Sequence, residues 1–197
     1  FCTIDPNIGV VEVPDERLIS LAKVSNSEKV IPAAVEFVDI AGLVKGAAEG
    51  EGLGNKFLAH IRECQLVAQV VRIFDDPNII HVHGKIDPKF DREIIESELL
   101  LSDIQAVENR LIKANSDAKS GDQEKKTYAK LLNTILPQLQ SGILANSLKL
   151  SPEEEALLAD LHLLTMKPFL YIINVPENDL KNINKEKYAE LLGISDT

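Results

Sequence analysis

A chain of 197 residues that is 45% hydrophobic and 26% charged can bury a sizeable core, so one or two globular domains are expected. A net charge of −10 excludes sequence-blind binding of nucleic acid by the molecule as a whole, and no direct DNA binding is expected, although a local basic patch could still dock on RNA. No apolar run reaches the roughly 18 residues of a membrane span, so no membrane partner is expected; Cys2 and Cys64, far apart and without a CxxC spacing, read as free thiols of a reducing, cytoplasmic setting.

In chain order, "IGVVEV" (8–13) is predicted as a strand closed by Pro14, and "PDERLISLAKV" as a short helix with Pro14 and Asp15 at its start. The apolar runs "AVEFVDI" and "LVAQVVRIF", bounded by Gly42 and Pro77, read as strands. Between them "GNKFLAHIREC" sets Phe57, Leu58 and Ile61 on one helical face. Strands alternating with helices predict a mostly parallel sheet with helices on its faces. Near Asp91 the character changes. Ile94, Leu101, Ile104 and Leu111 fall near heptad spacing, a polar hinge "NSDAKSGDQEKK" follows, and Tyr128, Leu131, Leu132, Ile135, Leu136 and Leu139 form a second stripe. That pattern reads as an antiparallel helical hairpin of coiled-coil type, with two helices on an ordinary core as the plainer alternative. Ser151, Pro152 and Glu154 make a capping box for a third helix, and "KPFLYIIN" is a short apolar strand ending on Asn174. The expected architecture is therefore α/β, with sheet-bearing parts at 1–90 and 166–197 and a helical insertion at 91–165.

The chemistry concentrates where "DIAG" ends a strand. Asp39 there puts a carboxylate at the carboxyl edge of a parallel sheet, where open α/β folds bind ligands. Such a carboxylate suits Mg²⁺, usually through its water, because that ion prefers hard oxygen ligands. Gly42 would let a backbone N–H approach a γ-phosphate without a Cβ in the way. Gly46, Gly50, Gly52 and Gly54 would let the loop rearrange when that phosphate leaves. Alone, DxxG is a short pattern, and a surface loop explains it as well. His81 and His83 share a face if their segment is extended, and either could exchange a proton near neutrality. They read equally as two surface histidines, while Asp75 and Asp76 in "FDDPN" read as a strand-exit turn.

Context sharpens these fragments. "FCTIDPN" before the first strand, "DIAGLVKGAAEGEGLGNKFLAHI" in the middle and "NVPE" after the last strand stand in the order of switch I, switch II and base-recognition elements of a P-loop NTPase. With "NIIHVHGKIDP" and "DAKSGDQEKK", the set closely resembles the YchF family, the Obg-like ATPases, along essentially the whole chain. The resemblance implies a P-loop NTPase G-domain core carrying the helical hairpin, and a Mg²⁺-dependent ATPase switch, with GTP the weaker nucleotide and the ribosome or a ribosomal subunit as partner. By the same resemblance Thr3 and Asp39 are the Mg²⁺ residues and Gly42 the γ-phosphate amide. Leu43 stands where Ras-like enzymes place a water-orienting glutamine. An aliphatic side chain cannot orient water, so intrinsic hydrolysis is expected to be slow or organised by another group, and the family proposes the histidine at the position of His81, on a mobile loop.

Asn174, Val175, Pro176 and Glu177 replace the NKxD of GTPases, removing the lysine and the aspartate that clamps guanine. In the family this variant accompanies a preference for ATP, with Asn174 meeting the purine edge. The family's GxxxxGK[ST] loop and its carboxyl-terminal TGS domain are not among these residues, so the chain is expected to be a fragment, inactive by itself. An Obg or Drg-type GTPase and a nucleotide-independent interaction module built on the acidic hairpin remain as alternatives.

Overall fold

The structure, a computed structural model, describes residues 7–40, 53–76, 78–79, 81, 84–181 and 184–194, with the backbone alone for 53–56. Thr3, Gly42, Leu43 and His83 lie outside the described residues. The chain divides into two compact units, Phe1–Gly42 and Leu43–Thr197.

The first unit holds strand β1 (Asn7–Glu12), helix α1 (Arg17–Ser25) and strand β2 (Ala34–Asp39). β1 and β2 pair antiparallel, with Asn7 opposite Asp39 and Glu12 opposite Ala34. The ladder gains one further bond where the Val13 N–H donates to the Ala33 carbonyl at 2.8 Å. A mostly parallel sheet is expected from strand and helix alternation, and this pair is the antiparallel part. A parallel pair needs a crossover helix packed on its face, and α1 buries none of its residues. Antiparallel register instead sets Ile8 against Val38 and Val11 against Val35, apolar cross-strand pairs of the kind that stabilise a two-stranded ribbon.

In the second unit helix α2 (Leu53–Glu63) buries Leu58 and Ile61, part of the face its spacing predicted. Strands β3 (Val67–Arg72) and β4 (Phe169–Asn174) are parallel, Val67 opposite Phe169 and Arg72 opposite Asn174, and here the expected direction holds. Between them run helix α3 (Pro88–Asp117), helix α4 (Gln123–Gln140) and helix α5 (Pro152–Leu158); helix α6 (Lys185–Leu192) follows β4.

Local chemistry sets each of these starts. The Asp87 side chain accepts from the Phe90 N–H ahead of α3, and Asp122 accepts from the Glu124 and Lys125 N–H groups ahead of α4. The α5 capping box closes as read, Ser151 with Glu154 in both directions. That helix is only seven residues long before it tightens into 3-10 turns.

The core of the second unit lies mainly along the seam of α3 and α4. Val107, Leu132, Ile135 and Leu139 are fully covered, with Leu100, Ala114, Leu131 and Leu158 nearly so. The α4 stripe is the one its sequence predicts. On α3, Ile104 and Leu111 face the core as predicted, joined by Leu100, Val107 and Ala114, whereas Leu101 is 46% exposed. Three consecutive leucines, 99 to 101, give no periodic signal of their own, so Leu101 fitted one heptad frame while the packed frame begins one residue earlier.

A buried carboxylate closes the base of this arm. Asp103 accepts from the Leu164 N–H at 2.7 Å, the Thr165 N–H at 2.8 Å and the Thr165 hydroxyl at 2.6 Å. Burial pushes its carboxyl above the usual carboxylate range, against the downward pull of these three donors. Nearby, the Lys167 ammonium donates to the carbonyls of Arg62 and Cys64 and so caps the end of α2.

Candidate functional site at the strand ends

β3 and β4 end level with one another, so Arg72 and Asn174 open together at the carboxyl edge of their pair, the edge where open α/β sheets place ligand-binding loops. The Ile73 N–H donates to the Asn174 carbonyl at 3.2 Å and holds the two exits side by side. Asn174 is exposed and Val175 half-buried. The Pro176 carbonyl then accepts from the Asp179 N–H at 3.0 Å, turning the chain into the short 3-10 segment Glu177–Lys181 with Glu177 exposed. Asn174, Val175 and Glu177 thus form one strand exit presented to solvent. Asp39 is the last residue of β2 and also exposed, at a strand tip as its sequence suggested, within the other unit.

The loop after β3 is stapled by Arg72. Its guanidinium donates to three carbonyls, Phe74 at 2.8 Å, Ile79 at 3.1 Å and Asp76 at 3.4 Å, and lies 4.8 Å over the Phe74 ring. The Asp76 carboxylate accepts from the Asn78 N–H at 2.9 Å, the strand-exit turn that "FDDPN" predicted.

His81 docks on the first turns of α3, its Nε2 2.9 Å from Oδ2 of Asp91, with the two side chains 17% and 18% exposed. Asp91 is a junction. Its backbone carbonyl accepts from Nε2 of Gln69 on β3 at 3.2 Å. One turn on, Glu96 accepts from the Tyr171 hydroxyl at 2.5 Å and lies 3.5 Å from Arg92. Gln69 and Tyr171 are register partners on neighbouring strands, so both reach α3 from one face of the pair. Burial first, and the Glu96 carboxylate second, raise the Tyr171 phenol far above its usual range. Two buried atoms here, Gln69 Oε1 and Arg92 Nε, have no hydrogen-bond partner among the described residues.

The structure therefore brings Asn174, Val175 and Glu177 together, and it joins His81 to a residue the sequence reading did not select. Asp91 had marked only the change to helix. Gln69 carried a signal that went unused: it is the one polar residue inside the apolar run "LVAQVV", and a lone polar group in such a strand needs a partner.

Residues 1–115 match the family model described as 50S ribosome-binding GTPase. Among curated relatives, the ribosome-binding ATPase YchF of Bacillus subtilis (strain 168) is 48% identical over 180 residues, covering 91% of this chain and 49% of that protein. The ribosome-binding ATPase YchF of Mycoplasma genitalium is 48% identical over 192 residues, covering 98% of this chain and 52% of that protein. A solved structure, that of the Schizosaccharomyces pombe YchF GTPase, superposes with a TM-score of 0.76 at 37% identity, covering 96% of this chain and 53% of the other. The chain spans about half the length of the curated relatives it matches. These similarities bear out the resemblance carried by the switch-like and base-recognition motifs, and with it the α/β class.

Proposed function

The chain belongs to the 50S ribosome-binding GTPase family, and from that premise we propose that it is the nucleotide-binding part of a cytoplasmic, Mg²⁺-dependent switch that prefers ATP to GTP and acts with the ribosome. The observation that carries the reading is the strand exit at Asn174: an exposed asparagine at the carboxyl edge of a parallel pair, followed by Val175 and an exposed Glu177 in place of the guanine-clamping lysine and aspartate. In this reading residues 1–90 and 166–197 form the G domain, and the helical insertion 91–165 is the arm through which nucleotide state reaches a partner.

Asp39 fits a magnesium site, being an exposed hard-oxygen donor at a strand tip. It and Thr3 would hold the ion, whose chemistry is to neutralise charge on the phosphate oxygens. Gly42 would offer its amide to the terminal phosphate. Leu43 cannot orient water, which leaves His81 as the residue that assists hydrolysis, by accepting or positioning a proton of the attacking water. Asn174 contacts the purine edge, and Glu177 favours adenine mainly by failing to supply the paired acceptor that guanine N1–H and its amino group require.

Calorimetric titration of Mg·ATP and Mg·GTP decides between readings, run on this chain and on the full-length protein. The full-length protein is expected to bind ATP more tightly, and Asn174→Ala to weaken it by about tenfold, the loss of one well-made hydrogen bond in a dry site. Tighter binding of GTP would move the assignment to an Obg-type GTPase, a reading kept open because the Schizosaccharomyces pombe neighbour is itself named a GTPase. Binding of neither nucleotide would favour a protein-interaction module.

A further inference from the structure

A group that acts on a nucleotide must present a ring nitrogen to it at hydrogen-bonding distance. In this structure the Nε2 of His81 faces the Asp91 carboxylate at 2.9 Å, and only 17% of the side chain is exposed. We propose that Asp91 is a positioning residue that keeps His81 parked on the first turns of α3, so that the imidazole becomes available for hydrolysis when its contact with Asp91 opens. The inference rests on the reading of His81 as the hydrolytic group, and its test separates the two.

Three observations support a latch rather than a chance surface pair. Both partners are more than four-fifths covered, which shields the contact from water and salt and makes it stronger than an exposed pair. The stretch ahead of His81 is held separately, by the Arg72 guanidinium on the carbonyls of Phe74, Asp76 and Ile79, so the imidazole can leave Asp91 while the strand exit stays in place. Finally, Asp91 is fixed independently of its carboxylate. Its N–H donates to the Asp87 carbonyl at 2.9 Å, and its own carbonyl accepts from Gln69 on β3. A carboxylate mounted on the root of a 30-residue helix makes the helical arm and the histidine loop share one contact. Any partner that shifts the arm root relative to β3 would then change the availability of His81, and the orphaned Gln69 Oε1 and Arg92 Nε show that this root holds polar atoms which another arrangement could satisfy.

The independence of the backbone contacts makes the test clean, because Asp91→Ala and Asp91→Asn remove or weaken the latch while leaving the Asp87 cap and the Gln69 bond in place. Asp91→Asn keeps an acceptor oxygen and the side-chain volume, so it also answers any failure of Asp91→Ala to fold. In the full-length protein, carbethoxylation of His81 by diethyl pyrocarbonate, followed by mass spectrometry, reads its release directly. The expected result is labelling about tenfold faster in Asp91→Ala, the factor that an ordinary charge-assisted hydrogen bond supplies, and an intermediate rate in Asp91→Asn. Partner-free ATP hydrolysis should show a raised kcat with KM unchanged.

Unchanged labelling in both variants overturns the latch. So does faster labelling with unchanged kcat in a protein whose hydrolysis is abolished by His81→Ala. If His81→Ala leaves kcat unaltered, the hydrolytic reading of His81 fails instead, and the labelling rates alone then decide whether Asp91 holds the ring.

Discussion

The arm and the first unit use similar residues to opposite ends. Along α3 and α4 the apolar side chains close on one another, and Val107, Leu132, Ile135 and Leu139 are fully covered. In β1, α1 and β2 nothing is buried: Ile8, Val10, Val11, Ile19, Leu21, Val35 and Phe37 are all more than 40% exposed. Helical hairpins satisfy their backbone internally and need only one face covered, whereas a two-stranded ribbon is marginal until something packs on it. The arm is therefore a self-sufficient body, and the unit that carries Asp39 draws its order from its backbone ladder and turns. For the switch proposed above this division would be useful, since segments that must rearrange come from the low-stability end of a structure.

The sharpest way to break the contrast is a pair of truncations of similar chemistry. Ile135→Ala in the arm should cost about 3 kcal/mol by thermal or urea unfolding, since it opens a cavity in a fully covered seam. Val24→Ala in α1, 83% exposed, should stay within about 0.5 kcal/mol. Equal losses would show that the first unit is more tightly packed in solution than its surface implies.

Next in size, Asp103→Ala strands the Leu164 and Thr165 N–H groups inside the arm base and should cost about 2 to 3 kcal/mol. Hydrogen exchange should rise at those amides first.

Tyr171→Phe should cost about 1 kcal/mol, one hydrogen bond to Glu96. It also carries a pH signature. Because the folded phenol is held above its unfolded value, its contribution is full below the unfolded pKa, about 10, and is lost as pH rises through the folded value. The variant should therefore lack the wild-type decline in stability on the alkaline side, as followed by circular dichroism. Smaller than these losses, Ser151→Ala should remove one capping bond for about 0.5 to 1 kcal/mol without changing the arm's helicity elsewhere.

Much of this was legible in the residues. The strands, the hairpin with its polar hinge, the α5 capping box and the strand exit at Asn174 all follow from periodicity and turn chemistry, which are local. Three features were not local and were left open, misread or missed. The direction of β1 relative to β2 depends on whether α1 packs on the ribbon, and no short window of "PDERLISLAKV" reports that. The heptad frame of α3 was ambiguous across Leu99, Leu100 and Leu101, because three adjacent leucines satisfy two frames and only the partner helix chooses. The pairing of His81 with Asp91 spans ten residues and a change of element, so it had no sequence signature at all. Asp39, Asn174 and Glu177, the residues of the proposed site, stood out because a motif is written in adjacent letters. Residues that position others leave no such trace.

The parallel pairing of β3 with β4 bears on how the chain is assembled in time. Val67 must wait for Phe169, more than a hundred residues later, and the cap on α2 waits equally for Lys167, so during synthesis β3 emerges long before its neighbour exists. Such distant closures are slow when the intervening chain is loose. Here the intervening chain is the arm, whose local contacts form early and whose first helix is tied at its middle, by Asp103, to Leu164 and Thr165 just ahead of β4. Once that tie is made, β4 is separated from it by residues 166–168 alone, while residues 73–102 lie between the tie and β3, half of them already in α3, and the arm becomes the element that lets the nascent sheet close.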